Sequence, residues 1–284
     1  MSATLAPQVP ALSVAARCRV LDWPRASYYR AGSAAPAEAD TSLRSLIQQV
    51  ALEWPSYGYR RVAAELRRRG RSVNRKHVLR LMREDNLLCL RKRRFAHTTN
   101  SDHRLPVYPN LVPGLVVGGC DQLWVSDITY IRLLREFIYL AVILDAFSRR
   151  VIGWALERTL ETELALSALR MALATRAVTE GLIHHSDRGV QYASLAYTAL
   201  LKERGIRISM SRRGNAYDNA QAESFMKTLK YEEVYLREYE TMAEARASIS
   251  HFLEAVYNQK RLHSALGYVP PVEFEQRNIQ LVSP

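Results

Sequence analysis

Asp127, Asp187 and Glu223 carry the first chemical signal in this chain, with 59 residues between the first two and 35 between the last two. Each sits in a different setting. Asp127 lies inside the strand-like run Trp124-Val125-Ser126-Asp127-Ile128-Thr129-Tyr130, Asp187 closes the run Leu182-Ile183-His184-His185-Ser186-Asp187, and Glu223 falls in an amphipathic helical pattern. Gathered in one cleft, three ionised carboxylates repel one another by roughly 4 kcal/mol per pair at about 4 Å and an effective dielectric near 20. They need cations, and hard oxygen ligands without Cys or an ordered His set suit two magnesium or manganese ions. Such a pair, about 3.5 to 4 Å apart, activates the attacking oxygen and stabilises the leaving oxygen of an in-line phosphoryl transfer. Taken singly, each residue has an ordinary reading: a strand-end Asp caps a turn, and a helical Glu four residues before Lys227 makes a surface ion pair.

The surrounding elements decide between these readings. Val-, Ile-, Tyr- and Trp-rich runs over 122–133, 136–147 and 150–157, separated by short breaks, predict a three-stranded antiparallel meander. A helix over 161–178, a strand ending at 187, a helix near 194–204, a strand over 206–210 and a helix from about 218 follow. The order β-β-β-α-β-α-β-α predicts an α/β fold, a mixed sheet with helices on both faces, in the element order of the ribonuclease H-like fold. On the last helix Ala222, Phe225, Met226 and Leu229 share one face, while Glu223, Lys227 and Lys230 share the flank about 100° away. That helix packs by its apolar face and aims Glu223 along the sheet, with Lys227 and Lys230 continuing toward a phosphate backbone. His184 and His185 alternate to opposite sides of their strand, which argues against a His-rich zinc site. Asp145, before Ser148-Arg149-Arg150, reads as a turn residue.

The chain has 284 residues, a formal charge of +12 and 48% apolar residues, enough for one ordinary core and smaller modules. Arg60 to Arg104 hold 15 Lys/Arg against 4 Asp/Glu, and so contribute +11 of that charge. Within this stretch a helix following Tyr57-Gly58-Tyr59 stops at Gly70, and a second is capped by Asn74. The pair predicts a helix-turn-helix whose second helix carries Arg75, Lys76, Arg80 and Arg83, and the loop Arg91-Lys92-Arg93-Arg94 suits phosphate neutralisation. A helical bundle with a solvated basic face is the plainer alternative. The longest uncharged apolar run, Phe137 to Leu144, is eight residues, against roughly 20 needed to cross a bilayer. Cys18, Cys89 and Cys120 are odd in number and far apart, which fits reduced thiols in an intracellular protein. The expected organisation is an N-terminal helix and linker (1–38), a basic helix-turn-helix-like module (40–95), a linker (96–115), an α/β core (116–232) and a C-terminal helical segment (233–284).

These segments resemble the integrase core of bacterial insertion-sequence transposases of the IS-three family, second-reading-frame type. The resemblance rests on 124–130, on Leu144-Asp145-Ala146-Phe147-Ser148-Arg149, on His185-Ser186-Asp187-Arg188-Gly189-Val190-Gln191-Tyr192 and on Asp218-Asn219-Ala220-Gln221-Ala222-Glu223-Ser224-Phe225. It continues in the closing motif Tyr257-Asn258-Gln259-Lys260-Arg261-Leu262-His263 and in Tyr57-Gly58-Tyr59-Arg60-Arg61. It implies that Asp127, Asp187 and Glu223 are the DDE triad and metal ligands, that Lys230 is its basic companion, and that His185, Arg188, Gln191 and Asn219 have supporting roles. Gly214-Asn215 look like the mobile loop before the catalytic helix. The implied chemistry is nicking at element ends, then attack of the freed 3′-hydroxyl on another phosphodiester. The implied partners are DNA, further copies of the chain on that DNA, and an upstream-frame (OrfA-type) protein or frameshift fusion; the implied setting is the bacterial cytoplasm and nucleoid. Two other classes remain open at the level of sequence: a non-catalytic DNA-binding regulator, and a ribonuclease H-like nuclease that cuts without joining.

Overall fold

Runs of β-branched and aromatic residues form five strands: β1 (Leu123–Arg132), β2 (Phe137–Asp145), β3 (Val151–Glu157), β4 (Ile183–Ser186) and β5 (Arg207–Met210). The computed structural model describes residues 13–25, 28, 37–88, 105–212 and 218–282. The strands make one sheet in the order β3-β2-β1-β4-β5; β1, β2 and β3 are the expected antiparallel meander, and β4 and β5 add in parallel. Asp187 therefore stands just beyond the end of β4.

Helices cover both faces. On one side lie α5 (Thr162–Thr175) and α7 (Leu195–Glu203), packed on Trp124, Ala141, Ile143 and Ala155, with the short α6 (Val190–Ala193) between them in sequence. The helix expected to run to 178 ends at Thr175. A Cβ at Gly153 would stand 2.3 Å from the Ala168 carbonyl oxygen, so glycine is what lets α5 lie directly on β3. On the other side lies α8 (Ala220–Glu232), whose Ala222, Phe225, Met226 and Leu229 join Leu123, Val125, Leu140 and Val142 in one core. That core runs on past residue 232 through Val234, Tyr239, Ala245 and Ile249 of α9 (Met242–His251) to Phe252 and Tyr257 of a π-helical turn (Phe252–Tyr257). The C-terminal segment thus shares the interior of the sheet.

The basic module is a separate three-helix cluster. It comprises α2 (Ala37–Glu53), α3 (Tyr59–Arg68) and α4 (Arg75–Glu84), preceded in the chain by α1 (Val14–Val20). Gly70 sits at φ 81° after α3, and the Asn74 carbonyl oxygen of the side chain accepts the Lys76 N–H at 2.8 Å to open α4. Its core of Ile47, Val50, Tyr57, Val62, Leu66, Val78, Leu81 and Met82 also takes in Leu262 from the closing motif.

The closing motif is a three-way junction. The Leu262 N–H donates to the Tyr57 hydroxyl at 2.8 Å, and the Tyr257 ring meets Phe225 edge-on at 4.9 Å between centroids. The buried Arg261 guanidinium grips both oxygens of Glu232, at 2.6 and 2.7 Å, and Arg61 of the helical module lies 3.6 Å from the same carboxylate. Asn258 hydrogen-bonds the backbone of Val151 in both directions at 2.9 Å. One short stretch therefore holds together the module, the sheet and the helix that carries Glu223. α10 (Pro271–Val282) is tied to the sheet through Glu275, which accepts from Ser148 at 2.7 Å, from Arg150 at 2.6 Å and from Arg176.

Candidate active site

Strand alternation places Asp127 on the same side of β1 as Leu123 and Val125, the side covered by α8. Parallel pairing sets Trp124 against His184 and Val125 against His185. Asp127 and Asp187 each lie two residues beyond that last pair, so the register carries both carboxylates to the same end of adjacent strands. Glu223 comes from the first turn of α8. Asp127 senses the other two: burial first, then Asp187, with Glu223 adding to it, push its carboxyl up to about 8, opposed by the Ile128 N–H and by Lys230.

Local bonds fix the acids. The Asp127 Oδ1 accepts the Ile128 N–H and the Asp187 Oδ1 accepts the Gly189 N–H, each at 2.9 Å. A Cβ at Gly189 would lie 3.0 Å from that Asp187 oxygen, so this turn favours glycine. Asn219 links the first and third acids: its side-chain Nδ2 donates 3.0 Å to the carbonyl of Ser126, the residue before Asp127, and its backbone carbonyl accepts the Glu223 N–H. Asn219→Ala leaves that buried Ser126 carbonyl without its donor, a cost of about 1–3 kcal/mol. We expect a lowered thermal midpoint, readable by differential scanning fluorimetry, and a larger fractional loss of DNA strand joining than of DNA binding. Equal losses of both would mean that Asn219 serves only the general fold.

The other sequence-expected residues are distributed as follows. His185 Nδ1 and Nε2 lie 2.8 and 3.0 Å from the hydroxyls of Ser209 and Ser211, whereas His184 faces the Tyr197 hydroxyl at 3.0 Å on the other side of the strand. Burial holds both imidazoles below the ordinary histidine range, His184 at about 3 and His185 at about 4. The Arg188 Nε donates to the Ser211 carbonyl at 2.6 Å, and the Gln191 amide to the Leu160 carbonyl at 2.8 Å. Lys227 is exposed on α8, while the Lys230 ammonium sits 4.5 Å from the centre of the Tyr130 ring, half-buried against β1. On α4, Arg75 and Lys76 are exposed and Arg80 pairs with Glu84 and Asp40. Arg91, Lys92, Arg93, Arg94, Gly214 and Asn215 lie outside the described residues.

The donor set fits a hard divalent cation. Three carboxylates share one field, and both nearby histidines are committed to hydroxyl partners. A tighter trio exists elsewhere: ligand atoms of Cys120, Asp145 and Glu275 all lie within 4.8 Å of one another. Its oxygens are already taken. Asp145 accepts the N–H and hydroxyl of Ser148 at 2.8 and 2.9 Å and the Asp121 N–H at 2.7 Å, Glu275 is held as described above, and burial pushes the Cys120 thiol up to about 12. Asp145 is the turn residue its sequence context suggests, within an ion-pair network that anchors α10.

Sequence reading passed over Glu232. An acid in the last turn of a helix opposes the helix dipole and needs a cation. That is the signal that could have pointed to Arg261.

The chain is similar to known proteins over most of its length. The family profiles described as "Integrase core domain" match residues 120–216 and 204–271, and "HTH-like domain" matches 38–95. A protein of Shigella sonnei named "Insertion element IS600 uncharacterized 31 kDa protein" is 36% identical over 94% of this chain and 100% of its own length. "Transposase InsF for insertion sequence IS3A" of Escherichia coli (strain K12) is 39% identical over 78% of each chain. Among solved structures, a chain of the simian T-cell lymphotropic virus intasome in complex with PP2A regulatory subunit B56 gamma covers 78% of this chain and 71% of its own, at 19% identity and a TM-score of 0.48.

Proposed function

The chain belongs to the IS3-type insertion-sequence transposases, and on that premise we propose that it cuts the ends of its element and joins the freed 3′-hydroxyl to another phosphodiester, with Asp127, Asp187 and Glu223 as the catalytic set. It is a metal-dependent polynucleotidyl transferase. The observation that carries the reading is the placement of three acids from β1, the end of β4 and the first turn of α8 about one site, where Asp127 is buried and feels the charges of the other two.

Asp127, Asp187 and Glu223 would hold two divalent ions, magnesium or manganese. When bound, these ions supply charge neutralisation and Lewis acidity at the attacking and leaving oxygens. The protein's own part is placement. Asn219 keeps β1 and α8 in fixed relation, the Asp187–Gly189 turn orients the second acid, and the Arg261–Glu232 pair secures the far end of α8. Lys227, exposed on the flank of Glu223, meets the DNA backbone near the cut, while Lys230 tempers the negative field of Asp127 from its seat on Tyr130. α3 and α4, with the basic residues that follow them, engage the duplex. Joining two ends in one complex calls for more than one copy of the chain, and an upstream-frame protein or frameshift fusion supplies recognition of the terminal repeats.

The test is a joining assay on a duplex bearing the element end, labelled at the 3′-hydroxyl strand, with the upstream-frame protein present. Magnesium or manganese should yield both a nicked end and a longer joined product. Nicks without joined product would make it a nuclease; neither product, with DNA still bound, would favour the regulator.

A further inference from the structure

Between the helical module and the C-terminal segment lies a groove of about 190 Å³ whose wall is strongly cationic, lined by Arg67, Arg68, Arg75, Tyr268 and Arg277 among others. Arg67 and Arg68 end α3, Arg75 begins α4, and Arg277 comes from α10, about 200 residues later in the chain. Among the described residues, the acid bonded to these arginines is Glu273, which accepts from both terminal nitrogens of Arg68, at 3.1 and 2.7 Å, and also pairs with Arg277, while Glu65 is taken up by Arg69. Four guanidinium groups, two of them bonded to that one carboxylate, leave the groove wall with an excess of positive charge. Arg67, Arg75 and Arg277 are exposed.

The groove is also shaped by a constrained turn. Gly267 and Tyr268 both have left-handed backbone, φ 71° and 64°, a conformation that a tyrosine adopts only when its surroundings impose it. The turn is clamped by the Tyr268 N–H to the His263 carbonyl at 2.8 Å and by the His263–Val269 bridge. It sets the Tyr268 ring beneath the Arg75 guanidinium, 5.5 Å from centre to cation, which holds that planar fork in place.

We propose that the C-terminal segment is part of the DNA-binding surface: Arg277 and Tyr268, together with Arg67 and Arg75 of the helical module, form a composite phosphate-binding groove for a duplex backbone. This rests on the reading of the chain as a DNA transposase. The direction of α4 favours a duplex over other anions. In a helix-turn-helix the second helix enters the major groove by its N-terminal residues, and the flanking backbone passes beside that end. Here that end is Arg75, and the groove opens beside it. Glu273 acts as an internal counterion that a phosphate displaces, so α10 contributes both an attractive and a competing charge.

The experiment is the salt dependence of binding to a labelled duplex of arbitrary sequence, since phosphate contacts carry no sequence. Wild type is compared with Arg67→Ala, Arg277→Ala, Glu273→Gln and, as a control far from the groove, Arg170→Ala, whose arginine pairs with Glu163 on α5. Arg67→Ala and Arg277→Ala should each weaken binding several-fold and reduce the slope of log K against log salt by about one. Glu273→Gln should tighten binding, and Arg170→Ala should leave the slope unchanged. An unchanged slope in folded Arg277→Ala, or an equal fall in Arg170→Ala, would overturn the composite groove, as would weaker binding by Glu273→Gln. Failure of the wild-type protein to bind any duplex would instead count against the transposase reading itself.

Discussion

Asp127→Asn is expected to abolish strand cleavage and joining while making the metal-free protein more stable. Both effects come from the same field. Asp127 is pushed up to about 8 by burial and by Asp187 and Glu223, against 3.8 for an ordinary Asp. Between those values the folded chain binds a proton that the unfolded chain does not. Stability contributed by this group is therefore fully present at low pH and is lost as pH rises through about 8. The amount at stake is on the order of a few kcal/mol. Asparagine carries no charge to bury and removes the penalty, which at about 2–4 °C per kcal/mol raises the thermal midpoint by several degrees at pH 8. At pH 5 the two proteins should melt closer together.

The histidines work in the opposite sense. His184, His185 and His263 are held at about 3, about 4 and about 2 by burial, so the unfolded chain takes up protons below about 6.5 that the folded chain refuses. Their stability is present above about 6.5 and is lost as pH falls. Because both proteins share these histidines, the difference between Asp127→Asn and wild type at one pH isolates the carboxylate. Added magnesium should raise the melting temperature of wild type and move the variant little. A variant that melts lower than wild type at pH 8 without metal would contradict the crowded-acid site, and joining activity in the variant would remove Asp127 from the catalytic set.

Arg261→Met should produce the largest loss of stability of any single substitution at the closing motif. Arg261 is buried with two hydrogen bonds to Glu232, and Arg61 adds only a longer ion pair to the same carboxylate, at 3.6 Å. Removing one partner leaves a carboxylate in a largely buried setting, a cost of about 3–5 kcal/mol. Replacing both, as Arg261→Met with Glu232→Leu, should cost much less than Arg261→Met alone, because no charge is stranded. Urea titration of the three proteins gives the comparison. The single variant should also lose strand joining more than the pair does, since Glu232 anchors the helix that presents Glu223. If the double variant is as unstable as the single, the junction owes its strength to packing of Tyr257 and Leu262 instead.

Local periodicity made much of this legible in advance. The meander over β1 to β3, the buried face Ala222, Phe225, Met226 and Leu229 of α8, the Asn74 cap and the Gly70 stop all follow from repeats of two or about 3.6 residues and from backbone preferences that act within one turn. The opposed directions of His184 and His185 were likewise fixed by the pleat.

By itself, the sequence determined which elements form, which face of each is apolar, and that three acids occupy one strand position, one strand end and one helix flank; the family resemblance gave those acids a chemistry. Only the tertiary structure decided that β1 lies beside β4 in a register that carries Asp127 and Asp187 to the same end. Only it brought Arg261 to Glu232, Lys230 onto Tyr130, and Arg277 of α10 beside Arg75 of α4. The reason is range. Pleat, helix and cap depend on neighbours a few residues away, whereas strand adjacency and buried ion pairs join segments tens to hundreds of residues apart, where charge and hydropathy name a need but not the partner that meets it.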